Sequence, residues 1–429
     1  MSLDDARHMA HALALGRRGM GNAWPNPSVG AVLVREGRIV GRGWTQPGGR
    51  PHAERTALDQ AGAAARGATA YVTLEPCAHH GATPPCAEAL IAAGITRVVA
   101  AIEDPDPRVS GRGLALLRAA GLEVTLGTLA HEAGVDLAGF LLARRENRPL
   151  VTLKLATSLD GRIATASGQS QWITGPMARR RVHALRMSHD AVMVGAGTAR
   201  ADDPLLTVRD MGAVRQPVRV VLARHLKVPL DGRMAASAAE VPLWLLHGPL
   251  DAEGQRRHAA WAQTGATLLE TPLSAGQIDP RAALTRLAAQ GLTRIFCEGG
   301  GQLAAALIAA NCVDHLVTFS AGLAIGAEGL PAVGALGLAH LSNAPRWTLT
   351  SVEEIGGDHS AGRCPIRRLE QIENRPVGQL GGLLRIACPT HDREGEAAVH
   401  HHVTFRVQWI GEDESGRILV RGPALAAHH

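Results

Sequence analysis

The feature that most constrains the fold is a set of three short segments whose side chains can share one chemistry: His52-Ala53-Glu54, Glu75-Pro76-Cys77 and Pro84-Pro85-Cys86. Pro51 suits the first turn of a helix, and Ala53 to Ala61 continue that helix to a stop near Gly62. Ala70-Tyr71-Val72-Thr73-Leu74 reads as a buried strand ending at Glu75, so Cys77 lies at a strand end. Cys86 follows two prolines where a second helix, Ala87 to Ala93, begins; Gly94 closes it. Partial positive charge at a helix N-terminus helps hold a thiolate.

One imidazole, two thiols and a nearby carboxylate suit a catalytic zinc ion. Three protein ligands, His52, Cys77 and Cys86, leave the fourth tetrahedral position open for water. The metal lowers that water's pKa from about 15.7 towards about 7. Glu54 can take the proton and pass it to a leaving amine. This is the chemistry of hydrolytic deamination of an amino-substituted pyrimidine or purine. The general signature is H-x-E followed by P-C-x-x-C; here the cysteines are separated by eight residues instead of two. A structural zinc site would need a fourth ligand, His79 or His80, and would leave Glu54 without a task.

A chain of 429 residues has room for two or three domains. Hydrophobic residues at 46% and charged residues at 19% are ordinary for soluble globular protein. No uninterrupted apolar stretch of about 18 residues occurs, so no membrane span is expected, and Met1-Ser2-Leu3-Asp4-Asp5 lacks a signal-peptide pattern. Six cysteines in so long a chain argue for a reducing cytoplasm. Aromatic content of 3% and a net charge of +5 do not suit a nucleic-acid surface, which combines dense basic patches with stacking aromatics. Arg179-Arg180-Arg181 is the densest basic run and reads as a solvated helix face with some capacity for phosphate.

The first unit opens with a helix, Asp5 to Gly16, and a loop, Pro25-Asn26-Pro27-Ser28. A strand from Val29 to Val34 then turns through Arg35-Glu36-Gly37-Arg38 into Ile39-Val40-Gly41. After the three chemical segments come a strand from Arg97 to Ile102, a helix from Gly111 to Gly121 and a strand from Glu123 to Leu126. This alternation implies a helix-sheet-helix sandwich over residues 1–148. The second unit, residues 149–369, repeats the alternation. Strands read at Val151–Leu155, Ala191–Gly195, Val218–Leu222, Leu243–Leu246, Thr293–Cys297 and His315–Ser320. Helices read at Pro176–Met187, Glu253–Thr264, Pro280–Gln290 and Gln302–Ala310. Within it, Ile295-Phe296-Cys297-Glu298 runs directly into Gly299-Gly300-Gly301 and a helix. A strand, a glycine turn and a helix N-terminus present backbone N–H groups to an anion such as a dinucleotide phosphate. The spacing is not the G-x-G-x-x-G fingerprint, and an unliganded tight turn fits the triplet equally well. A second glycine-bearing loop, Gly195-Ala196-Gly197-Thr198, also follows a strand.

Taken together, these segments resemble the bifunctional riboflavin-biosynthesis deaminase/reductase family over roughly residues 5 to 358. The deaminase motifs are Pro25-Asn26-Pro27-Ser28-Val29-Gly30, His52-Ala53-Glu54 and the run from Leu74 to Cys86, whose long cysteine gap is the family's own variant. The reductase motifs are Lys154 to Gly161, Ser170-Gln171-Trp172-Ile173-Thr174, Ala201 to Arg209 and Glu298-Gly299-Gly300. The resemblance implies a cytidine-deaminase-like sandwich followed by an α/β domain similar to dihydrofolate reductase. It implies zinc-dependent removal of the C2 amino group of 2,5-diamino-6-(5-phosphoribosylamino)pyrimidin-4-one, then NADPH-dependent reduction of the ribosyl group to ribityl. By this likeness His52, Cys77 and Cys86 bind zinc and Glu54 shuttles protons, while Asn26 and His79 contact the pyrimidine. Ala156, Trp172, Thr198, Asp202, Gly300, Gly301 and Gln302 are expected at NADPH. Lys154, Ser170, Arg186, Leu206, Arg209 and Glu298 are expected at the phosphoribosyl substrate. Arginine forks suit its phosphate, and a buried lysine–carboxylate pair can polarise an opened sugar. Four positions depart from the family pattern: Ala82 stands for a basic residue, Asp106 for an asparagine, and Ala223-Arg224 for an aspartate and a small hydroxyl residue.

The partners expected are the small-molecule substrate and further copies of the chain in a homo-oligomer. Neither nucleic acid nor membrane is expected. Residues 370–429 show no sustained periodicity beyond a strand at Val403 to Ile410 and read as an atypical, disordered tail. The competing readings are a family member with one activity retained, a nucleoside- or tRNA-type deaminase with an accessory domain, and a regulator that has lost turnover.

Overall fold

The computed structural model describes residues 2–80, 84–212 and 214–365, with four short strands beyond them. The chain forms two compact units, Met1–Ile366 and Arg367–His429. The first unit holds two principal sheets.

The smaller sheet contains β1 (Gly30–Arg35), β2 (Arg38–Trp44), β3 (Thr69–Val72), β4 (Arg97–Ala100) and β5 (Glu123–Leu126), in the order β2-β1-β3-β4-β5. β2 and β3 run antiparallel to β1, whereas β4 and β5 continue parallel to β3. Arg35 pairs with Arg38 across a two-residue turn in which Glu36 and Gly37 both have positive φ, 50° and 73°. That backbone matches the twist of the flanking strands. Side chains alternate between two cores. Ala31 and Leu33 join Ala53, Ala57, Ala87 and Leu90, whereas Val32 and Val34 join Met9, Ala12 and Leu13. Gly43 lets the Ala53–Ala61 helix lie directly on β2, since a Cβ there would come within 2.0 Å of the Ala53 carbonyl oxygen. This contact sets the depth of the helix that begins at His52.

The second sheet draws on β6 (Leu150–Thr157), β8 (Ala191–Gly195), β9 (Val218–Leu222), β10 (Leu243–His247), β11 (Thr267–Glu270), β14 (Arg294–Gly299), β15 (His315–Ser320), β17 (Trp347–Ile355) and β18 (Asp358–Pro365). The intervening β7 (Arg162–Ala164) pairs with β16 (Leu330–Pro331), and β12 (Leu273–Ser274) with β13 (Gln277–Ile278), as separate ribbons. The nine strands lie in the order β11-β10-β9-β8-β14-β6-β15-β18-β17. Those from β11 to β15 are parallel, and β18 and β17 close the edge antiparallel. Helices cover both faces, as parallel sheets require. Met193, Val151, Leu153 and Ile295 pack to one side; Val192, Val194, Val221 and Phe296 pack to the other.

In the second unit, Leu384–Arg385 pairs with Thr404–Phe405, and Gln408–Glu412 with Ile418–Arg421. The strand expected from Val403 to Ile410 is thus two separate strands. The disorder expected for the remainder of residues 370–429 lies outside the described residues, as does Ala82.

Three local expectations are corrected. The strands read from the sequence of the second unit end at His315–Ser320, since His359 to Pro365 lacks apolar alternation; it is nevertheless strand β18, because its ladders to β15 and β17 satisfy its backbone on both sides. β17 and β11 were not anticipated, and both are edge strands with weak apolar patterns. The segment read as a glycine loop at 195–198 enters a helix, Ala196–Asp202, directly after β8.

Candidate active sites

The three expected metal ligands converge. His52 caps the N-terminus of the Ala53–Ala61 helix, Cys77 follows β3 after a short extended stretch, and Cys86 is the first residue of the Cys86–Ala92 helix. One ligand atom from each lies within 4.8 Å of the others. His52 Nδ1 is 3.8 Å from Cys77 Sγ and 3.4 Å from Cys86 Sγ. A tetrahedral zinc with bonds of about 2.0 Å to nitrogen and 2.3 Å to sulfur needs donor atoms roughly 3.5–3.8 Å apart, so the set fits the ion. The Cys86 backbone N–H donates to Cys77 Sγ at 3.3 Å, the helix-terminus support expected for a thiolate. Hydrogen bonding from Cys86 holds the Cys77 thiol down at about 4, against the effect of burial.

Among the described residues no fourth protein ligand joins this set. His80 instead meets Glu88 at 3.1 Å on the surface. His79 Nδ1 is buried without a hydrogen-bond partner among the described residues. A buried polar atom in that state is a place for a ligand or water to bind. Glu54 is buried, 4% exposed. Burial, aided by the Cys77 thiolate, pushes its carboxyl up to about 7. Asn26 sits in the loop before β1, and its Nδ2 donates to the Gly49 carbonyl at 2.8 Å.

Sequence reasoning missed Glu75. Its carboxylate, 3% exposed, accepts four backbone N–H bonds, from Asp104, Gly111, Gly113 and Leu114, at 2.9–3.2 Å. It therefore ties the 104–114 segment to the strand end that carries Cys77. A buried carboxylate two residues before a ligand was the signal available. On that segment Asp106 is engaged by Arg108 at 2.6–2.9 Å, which holds its carboxyl below the ordinary carboxylate range.

The second site lies at the C-terminal ends of β6, β8 and β14, where open α/β sheets bind ligands. Glu298, at the end of β14, forms a two-pronged ion pair with Arg186 from the Pro176–Met187 helix. Arg186 also donates to the Thr207 carbonyl at 2.7 Å. Burial pushes the Glu298 carboxyl up, but Arg186, with help from Lys154, holds it below its ordinary value. Burial drives the Lys154 ammonium down, opposed by Glu298. The carboxylate expected to pair with Lys154 is thus bonded by Arg186. Leu206 is buried with φ 54°, and the Arg209 backbone N–H donates to His183.

Gly299 and Gly300 have φ of 85° and 87°, a conformation for which glycine is suited. They end β14 and begin the helix Gly301–Ala309, which continues with Gln302. Thr198 Oγ1 donates to the Gly299 carbonyl at 3.3 Å. Ala156 lies near the C-terminal end of β6, and Thr198 and Asp202 both lie in the helix Ala196–Asp202. A glycine turn that runs into a helix N-terminus fits a dinucleotide phosphate. Trp172 is 66% exposed under the Arg179 guanidinium, 4.6 Å from its ring centre; Ser170, two residues earlier, is half-buried. Among the described residues, neither Trp172 nor Ser170 forms a hydrogen bond or ion pair with Arg186 or Glu298.

Both halves of the chain are similar to known proteins. Residues 2–102 match the cytidine and deoxycytidylate deaminase zinc-binding region, and residues 149–360 match the RibD C-terminal domain. The riboflavin biosynthesis protein RibD of Escherichia coli is 42% identical over 83% of this chain and 98% of its own. The RibD of Aquifex aeolicus is 38% identical over 82% and 96%. Among solved structures, RibD of Acinetobacter baumannii superposes with a TM-score of 0.76 at 36% identity, covering 85% of this chain and 99% of that one. A diaminohydroxyphosphoribosylaminopyrimidine deaminase/5-amino-6-(5-phosphoribosylamino)uracil reductase from Thermotoga maritima gives 0.73 at 32%, covering 84% and 99%. The chain belongs to the RibD family, the zinc- and NADPH-dependent bifunctional deaminase/reductases of riboflavin biosynthesis.

Proposed function

We propose that the two activities divide between the two sheets, with residues 1–148 carrying the deaminase and residues 149–369 the reductase. The deaminase substrate is 2,5-diamino-6-(5-phosphoribosylamino)pyrimidin-4-one, and the reductase converts the ribosyl group of its product to ribityl. The convergence of His52, Cys77 and Cys86 beside a buried Glu54 carries the first assignment. Zinc held by those three residues supplies an acidified water at neutral pH. Glu54 has a carboxyl held near 7, so it can hold a proton and release it to the departing amine in the same pH range. The buried His79 Nδ1 and the Asn26 side chain orient the pyrimidine.

In the reductase, NADPH supplies the hydride. Gly300, Gly301 and Gln302 present the helix terminus to its phosphates, with Ala156, Thr198, Asp202 and Trp172 beside it. Lys154 and Glu298 bind the opened sugar, and Arg186 holds Glu298 ionised. Arg186, Arg209, Ser170 and the backbone around Leu206 line the phosphoribosyl end. We further assign the chain to the cytoplasm as a homo-oligomer acting on a small molecule. No helix among the described residues is long and apolar enough to cross a membrane.

An assay of the purified chain with the diamino-pyrimidine phosphate tests the reading. Zinc-loaded enzyme should release ammonia without NADPH and oxidise NADPH only after deamination. Chelation should abolish ammonia release while leaving NADPH oxidation on the deaminated intermediate. Ammonia release without NADPH oxidation would leave a deaminase alone.

A further inference from the structure

We propose that the reductase domain is a positioning element of the deaminase site, acting through Trp244 and Arg215 on the loop that carries Asn26. The proposal rests on the reading above that Asn26 contacts the pyrimidine. Trp24, two residues before Asn26, leaves its own domain's cores and packs against the reductase core. Its ring meets Trp244 of β10 edge-on at 6.3 Å, and the Arg215 guanidinium lies 5.4 Å from its centre. Arg215 also donates to the Asn22 carbonyl at 3.1 Å.

That carbonyl is shared. It also accepts the Gly48 N–H at 2.8 Å, and the neighbouring Gly49 carbonyl accepts Asn26 Nδ2. The turn at 47–49 leads directly to Arg50, Pro51 and His52. One arginine of the reductase domain thus reaches, through a single carbonyl, both the Asn26 loop and the turn that precedes the first metal ligand. The same loop meets the reductase backbone at close range, since a Cβ on Gly21 would lie 2.4 Å from the Met187 carbonyl oxygen. The loop borders a cavity lined by Trp24, Asn26, Phe140, Asp190, Thr293 and Arg294. Alongside the backbone contact at Gly21, the Trp244 and Arg215 contacts fall on Trp24 and Asn22, the side chain and carbonyl that flank Asn26, and position it at that cavity.

The test uses the full-length zinc enzyme with Arg215→Ala, Trp244→Ala, Trp244→Phe and Asn26→Ala. Arg215→Ala and Trp244→Ala should each raise the deaminase KM about tenfold with kcat nearly unchanged, the cost of a misplaced binding group. Zinc content and the reductase KM for NADPH should match the parent, and amide exchange over residues 19–26 should quicken. Trp244→Phe should restore most of the loss. A parent-like deaminase KM in both alanine variants, with Asn26→Ala impaired, overturns the proposal. So does a loss shared with zinc content or with NADPH binding, which marks a general folding defect. A parent-like KM in Asn26→Ala overturns the underlying pyrimidine assignment instead.

Discussion

Glu298 and Arg186, 112 residues apart in the chain, meet as a two-pronged ion pair that is only 11% exposed on each side. The pair brings the end of β14 and the Pro176–Met187 helix to one point beside Lys154. A buried carboxylate held ionised by a fork of this kind suits binding of a hydroxylated, partly charged substrate. Glu298 leads directly into the glycine turn at 299–300.

Replacing Glu298 by Gln should therefore leave deamination intact and lower the reduction rate by about a hundredfold, the lower end of what a positioned proton-handling group contributes. Ammonia release and NADPH oxidation measured on the same preparation separate the two. Equal loss of both would point to misfolding.

Glu54→Gln should retain zinc, because Glu54 is not among the converging ligand atoms, and should lose ammonia release by about a thousandfold or more. Metal analysis alongside the ammonia assay checks this. Near-parental deamination would remove Glu54 from proton transfer.

Glu75 accepts four buried backbone N–H groups. Hydrogen bonds to a charged acceptor are individually worth about 1.5–3 kcal/mol, and they are not additive. Glu75→Ala should cost roughly 3 kcal/mol or more of stability and quicken amide exchange over residues 104–114. Denaturant titration with exchange mapping gives both numbers. Unchanged exchange there would mean that the segment is held by other contacts.

His189 is buried, and burial drives its pKa from 6.5 down to about 3. Its ring bonds Thr152 Oγ1 at 2.9 Å and the Leu185 carbonyl at 2.7 Å. Between those two values the unfolded chain binds a proton that the folded chain refuses. Stability therefore falls as pH drops from about 6.5 towards 3. At pH 5 the loss from this one group should be about 2 kcal/mol relative to neutral pH. Denaturation at pH 7 and pH 5 should show a shallower drop in His189→Gln than in the parent. An equal drop would assign the acid sensitivity elsewhere.

Much of the metal centre was legible because its signals are local. A proline before His52, an apolar run before Glu75 and two prolines before Cys86 each place one ligand at an element end, and the residue types restrict the ion. Helices and central strands of the second sheet were legible for the same reason, since burial on one or both faces imposes a readable period. Strands β17, at the sheet edge, and β18, between β15 and β17, escaped because their stability comes from ladder partners and not from apolar patterning. The role of Glu75 escaped because nothing in its neighbours announces the four N–H groups that the 104–114 segment brings to it.

The sequence by itself determined the chemical groups: the imidazole, the thiols, the Glu54 carboxylate, the glycine turn and the order of strands and helices that carry them. Tertiary structure alone decided the partnerships across the chain, such as Arg186 with Glu298 and Trp24 with Trp244. Local preferences act over a few residues, whereas these pairs depend on which strands lie side by side and on how closely glycine-bearing surfaces let them approach.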